Sequence, residues 1–179
     1  LAMVRSLGRR GIKVFAGAEE STAMALFSRY TKDRFVYGSP LNDQAGFIDD
    51  LKEVIKNCKK KPVVFAGSDA TFLTIYKHID ELADLILFPH PSRESIDIAF
   101  DKGATFSEAR VLGVPTINTY LLEQNTEFDK ISQELSFPMV VKPRSSATWT
   151  EKNSYAGTAE FVHSLDELKT VFIKLKQAC

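Results

Sequence analysis

The chain has 179 residues, 44% hydrophobic and 26% charged, and its 23 basic and 23 acidic side chains cancel to a net charge of zero. That composition suits a globular chain of one domain or one and a half. It gives a nucleic-acid or anionic-membrane partner no bulk-charge support, and no apolar run approaches the roughly 20 residues of a membrane helix.

No signal peptide is visible. Cys58 and Cys179 make no disulfide framework and point to a reducing, cytoplasmic setting. His78, His90 and His163 lack metal-ligand spacing.

Leu1, Val4 and Leu7 recur at helical spacing, Gly8 or Gly11 ends that helix, and Ile12-Lys13-Val14-Phe15 follows as a strand. This reads as the second half of a βαβ unit. The strand expected before it, with any glycine-rich turn, is absent and the first residue is Leu, so the sequence reads as a fragment. Gly17 to Thr22 is expected as a loop at the strand's C-terminal end, where ligands sit in open parallel sheets. Glu19 and Glu20 lie in it, as ribose or substrate contacts or as ordinary exposed carboxylates.

A short helix over residues 23–30 and a strand over residues 34–37 come next. Phe47, Ile48, Leu51, Val54, Ile55 and Cys58 then form the clearest apolar stripe in the chain. Residues 62–66 and 85–88 read as strands on either side of a helix that Ser68 or Asp69 caps, with Phe72, Leu73, Tyr76 and Ile79 facing inward. Gly67-Ser68-Asp69 again stands at a strand's C-terminal end, as a cap or as a ligand contact. The β-α alternation with short connections predicts an open, mostly parallel sheet covered by helices.

The pattern changes near residue 100. Asp101-Lys102 opens a helix that runs to about Leu112 and stops at Gly113, and Val114 to Asn118 is extended. Thr126 with Asp129 signals a helix start, with Phe128, Ile131 and Leu135 as a thin apolar face. Residues 159–162 read as a strand. Ser164 with Glu167 is a capping box for a last helix that turns Leu165, Leu168, Val171, Phe172 and Leu175 inward.

Between these elements lies Phe137-Pro138-Met139-Val140-Val141-Lys142-Pro143-Arg144-Ser145-Ser146. Met139 to Val141 reads as a buried strand. A lysine at its end is costly unless it meets an anion or reaches solvent. The polar loop from Arg144 to Gly157 offers hydroxyls and backbone N–H groups for phosphate oxygens. Arg144 itself reads equally as an anion ligand or as half of a surface ion pair.

Taken in order, these pieces resemble the N-terminal part of ATP-grasp carboxylate–amine ligases, a layout shared with carbamoyl-phosphate synthase large subunits and biotin carboxylases. The opening Leu1 to Val14 is similar to their pre-ATP-grasp domain, and Gly67-Ser68-Asp69 to the loop midway through it. Asp101-Lys102, Ala109, Gly113-Val114-Pro115 and Phe137-Pro138 to Lys142-Pro143-Arg144 resemble the start of the ATP-grasp fold. The resemblance implies an α/β chain of two parts. Residues 1–100 would form a Rossmann-like pre-ATP-grasp domain with an open, mostly parallel sheet lacking its first strand. Residues 101–179 would form the first, incomplete α+β subdomain of an ATP-grasp fold.

The resemblance also implies roles. Lys102, Lys142, Arg144, Ser145, Ser146 and Gly157 would bind ATP, and Glu19, Ser68 and Asp69 a substrate. The loop departs from the family in having no glycine between Ser145 and Ala156. The implied reaction joins a small carboxylate to an amine (or thiol) donor through an acyl phosphate, with Mg2+ held by residues expected beyond 179. The fragment alone is therefore expected to be inactive, and a homodimer is left open. Two other readings compete: a non-catalytic nucleotide-binding or interaction module, including half of a split enzyme, and a dinucleotide-dependent oxidoreductase built on residues 1–100.

Overall fold

The computed structural model describes residues 1–123, 126–145, 148–149, 154–155 and 158–178. The chain is mixed α/β, 44% helix and 12% strand, with a small parallel sheet. It divides into two compact units, Leu1–Pro89 and His90–Cys179.

In the first unit, helix α1 (Ala2–Arg9) ends in a turn where Gly11 takes φ +76°, a conformation that favours glycine. Its Val4 is buried with Ala16 and Leu26. Strand β1 (Val14–Ala18) pairs in parallel with β2 (Thr31–Val36). β1 starts two residues later than Ile12 and includes Gly17 and Ala18, which the sequence suggested as loop. The reason lies at Gly17, where a Cβ would stand 2.4 Å from Cζ of Phe35. Glycine there lets the aromatic ring lie against the neighbouring strand. The expected short helix is a single 3-10 turn, Met24–Phe27.

Helix α2 (Gln44–Lys56) is capped by Asp43, whose carboxylate accepts the Gly46 N–H at 2.9 Å. Phe47, Ile48 and Leu51 from the expected stripe join Ile75, Leu82 and Ile86 in the main core of the unit. Residues 62–66 and 85–88 meet at a single parallel bridge, Val63 to Leu87. The Val64 N–H donates to the Leu87 carbonyl at 2.9 Å, and the Leu87 N–H to the Pro62 carbonyl at 2.8 Å. Val64, Ile86 and Phe88 turn into the core, whereas Val63, Phe65, Leu85 and Leu87 are exposed. Among the described residues the parallel pairing is thus one two-stranded sheet and one bridge, less than the open sheet the alternation suggested.

Helix α3 (Asp69–Lys77) corrects a second expectation. Its buried positions are Thr71, Thr74 and Ile75, whereas Phe72, Leu73 and Tyr76 are half-buried. Thr74 goes inside because its hydroxyl donates to the Pro40 carbonyl at 3.0 Å. Phe72 and Tyr76 lie on the flank and stack on each other with centroids 6.2 Å apart. A short helix, α4 (Ile79–Leu82), brings in Leu82 at 0% exposure.

The second unit opens with a helix that the prolines and serines of residues 89–95 concealed: α5 (Arg93–Phe100), capped by Ser92. One extended residue, Asp101, separates it from α6 (Lys102–Val111). The two compact units divide at Pro89, ahead of α5. α6 closes at Gly113, with φ +70°. Helix α7 (Phe128–Ile131) is a single turn whose Phe128 ring packs edge-on against Phe172. Thr126 does not cap it; its hydroxyl accepts the Glu123 N–H at 2.6 Å instead.

Strand β3 (Met139–Val141) and a later strand, Glu160–Val162, run antiparallel. The sequence read β3 as buried, yet Val140 is 46% exposed. A two-stranded ribbon has only one face against its helix. Within residues 145–157, read as a polar loop, the backbone forms a short antiparallel pair, β4 (Thr148–Trp149) with β5 (Ser154–Tyr155). The Glu160–Val162 strand is thus β6. Helix α8 (Leu165–Ala178) buries Leu168 and Leu175 as expected. Half of the expected capping box forms: Ser164 Oγ accepts the Glu167 N–H at 3.2 Å, while the Glu167 carboxylate reaches past the cap to accept the His163 N–H at 2.8 Å.

Candidate functional site

The second unit brings two basic segments together across more than forty residues of sequence. Asp101 is extended, which frees its side chain to cap α6: Oδ1 accepts the Ala104 N–H at 3.0 Å. Its other oxygen, Oδ2, accepts Nε–H of Arg144 at 2.6 Å. The Lys102 N–H donates to the Arg144 carbonyl at 3.0 Å, joining the two main chains directly. Gly103 is buried, and a Cβ there would stand 2.9 Å from Leu121 Cδ2. Pro143 is buried as well, so both segments are seated on packed backbone.

The electrostatics follow from this contact. The Arg144 hydrogen bond holds the Asp101 carboxyl below its ordinary value; burial opposes it, and the Ala104 and Gly103 N–H groups assist. Asp101 in turn raises Arg144, with a smaller contribution from Glu123. Lys102 is half-buried at the head of α6, and Lys142 is exposed at the end of β3. Because β3 is itself half-exposed, Lys142 needs no buried anion to be tolerated there. Ser145 is half-buried, while Ser146 and Gly157 lie outside the described residues.

The first unit gathers a second polar group at the ends of its parallel strands. The Tyr37 N–H donates to the Ala18 carbonyl at 3.1 Å, so Glu19 and Tyr37 leave the sheet side by side. The phenol of Tyr37 is half-buried, its ring edge-on to Phe47 with centroids 5.0 Å apart. Burial pushes its pKa up, the Thr71 side chain opposes this by hydrogen bonding, and the Glu19 carboxylate adds to it. Ser68 caps α3 by accepting the Thr71 N–H at 3.2 Å, and its hydroxyl lies 2.9 Å from that of Thr71. Ser68 therefore serves as the helix cap, and Asp69 stands exposed in the first turn.

Among the sequence candidates, Lys102 and Arg144 are joined directly, whereas Ser68 bonds Thr71 and Glu19 leaves β1 beside Tyr37. Sequence reasoning missed the partners. Asp101 was legible as a helix opener, but nothing local connects it with an arginine 43 residues away. Tyr37 looked like the end of a strand. Among the described residues, no group of three or more His, Cys, Asp or Glu side chains is placed to hold a metal ion, and no helix is long and apolar enough to cross a membrane. No protein-family model matches the chain, and no curated protein matches it.

Proposed function

We propose that this chain is the ATP-binding portion of an ATP-grasp ligase that joins a small carboxylate to an amine or thiol. The observation that carries the reading is the bond from the Lys102 N–H to the Arg144 carbonyl. It roots one cationic side chain at the head of α6 beside the segment that bears Lys142 and Arg144. Two cations from different elements are what a polyphosphate needs for neutralisation and alignment. Lys102 and Lys142 are the phosphate-binding pair, with Ser145, Ser146 and Gly157 in the adjoining segment. Glu19, Ser68 and Asp69, at strand ends in the first unit, are the substrate-side candidates.

In the reaction, a carboxylate oxygen attacks the γ-phosphorus and ADP departs, leaving an acyl phosphate. The donor nitrogen or sulfur then attacks the acyl carbon, and inorganic phosphate leaves. Transfer of this kind depends on positioning and charge, which these residues supply. Magnesium accompanies the nucleotide in such chemistry; the described residues offer the phosphates cations but no metal cage.

Calorimetric titration with Mg-ATP tests the reading. Binding by the wild-type chain, abolished in Lys142→Ala and weakened in Lys102→Ala, is the expected result. No heat at millimolar nucleotide, a ceiling of about −4 kcal/mol, would leave the resemblance without its chemistry.

A further inference from the structure

We propose that Asp101 is the positioning residue of this site. On this view Arg144 acts through Asp101, as a strut between the two basic segments, and not as a phosphate ligand. The inference rests on the nucleotide reading above and assigns the residue that holds the site's geometry.

Asp101 commits both of its carboxylate oxygens. Oδ1 fixes the first turn of α6 through Ala104, and Oδ2 takes Nε–H of Arg144. The Lys102 N–H closes the ring by donating to the Arg144 carbonyl. Two bonds therefore tie residues 101–104 to residue 144, a third fixes the turn within 101–104, and each side rests on buried backbone, at Gly103 and at Pro143. The two lysines are direct neighbours of this clamp. Lys102 follows Asp101, and Lys142 precedes Pro143. Their main-chain positions move with the clamp. Arg144 is differently placed. Its Nε–H is turned back to Asp101, and its carbonyl is taken by Lys102.

The discriminating variant is Asp101→Asn in the full chain. Asparagine caps a helix about as well as aspartate, so α6 keeps its Ala104 bond. The second oxygen, however, becomes an NH2 group that meets Nε–H donor to donor. As a strut, Asp101→Asn weakens Mg-ATP binding by about two- to fivefold, the range open to an exposed ion pair. Adding Arg144→Gln in that background then changes nothing further. In the wild-type chain the Nε–H resonance of Arg144 keeps its position when Mg-ATP is added, a readout that needs no variant.

Opposite results overturn the proposal. If Arg144 is a phosphate ligand, Asp101→Asn releases it: affinity holds or rises, Arg144→Gln in the Asn background weakens binding again, and the Nε–H resonance shifts on nucleotide addition. A wild-type chain that binds no Mg-ATP ends the nucleotide reading itself, and this inference with it.

Discussion

Thr74 offers the sharpest test of how the first unit is built. It is 0% exposed on the inner face of α3, and its hydroxyl donates to the Pro40 carbonyl at 3.0 Å, across 34 residues. Pro40 is itself fully buried. Thr74→Val keeps the shape and replaces the hydroxyl with a methyl group. The gain from burying one more methyl group is about 0.8 kcal/mol. The loss is an unsatisfied buried carbonyl, about 1–3 kcal/mol. The net expectation is a destabilisation of about 1–2 kcal/mol. Thr74→Ala removes the methyl as well and should cost about 1 kcal/mol more, since a small cavity adds to the transfer cost. Urea unfolding by far-UV circular dichroism, with amide exchange at Ile75, measures this change. If Thr74→Val is as stable as wild type while Thr74→Ala is not, packing alone places this threonine inside. The hydrogen-bond account of the α3 face would then be wrong.

Gly8→Ala should destabilise by about 1–3 kcal/mol, the usual cost of overpacking, because the added Cβ would stand 2.4 Å from Cβ of Tyr30; thermal unfolding measures it. Tyr37 predicts an alkaline weakness. Its folded-state pKa is raised above the ordinary 10.0, so its contribution is complete below pH 10.0 and is lost as pH rises through the elevated folded value. Wild type should therefore lose more stability between pH 9 and 11 than Tyr37→Phe, by urea titration at each pH (range of about two units around the ordinary tyrosine value). Asp101 has the opposite sign. Its folded pKa is depressed below the ordinary 3.8, so its contribution is present above that value and fades as pH falls through the folded one. At neutral pH, Asp101→Ala should cost about 1 kcal/mol through the lost cap, and Asp101→Asn only the few tenths of an exposed pair. Thermal unfolding followed by far-UV circular dichroism separates the two, and equal losses would refute the capping assignment.

Helix positions were legible where periodicity and caps agreed. The stripe of α2 and the capping box of α8 have both signals, and both elements stand where the sequence puts them. α5 has only Ser92 and lies behind Pro89 and Pro91, so its single buried residue, Ile96, left no periodicity to read. The strands fared worse for a different reason. Runs such as 62–66 and 85–88 are apolar at nearly every position, which suggests burial on both faces. In the structure only alternate residues enter the core. Composition of a run cannot say how many of its faces are covered. On α3, hydrophobicity pointed to Phe72 and Tyr76, whereas Thr74, bonded to the Pro40 carbonyl, takes the most buried position beside Ile75.

The candidate site shows the same limit in charge. Sequence identified the cations Lys102, Lys142 and Arg144, because lysines and arginines beside a strand end are conspicuous. It could not identify which of them is already answered. Asp101 takes up Arg144 through its Nε–H. A phosphate group carries about −1.5 to −2 at neutral pH, so a triphosphate exceeds the charge these side chains can supply. Such a polyphosphate must bring its own counter-cations or lean on backbone N–H groups of the adjoining segment. The pairing seen here therefore predicts steep affinity loss when either lysine is removed. It predicts little direct loss from Arg144 beyond what its hold on Asp101 explains. The proportion between those two effects is what separates a phosphate ligand from a strut.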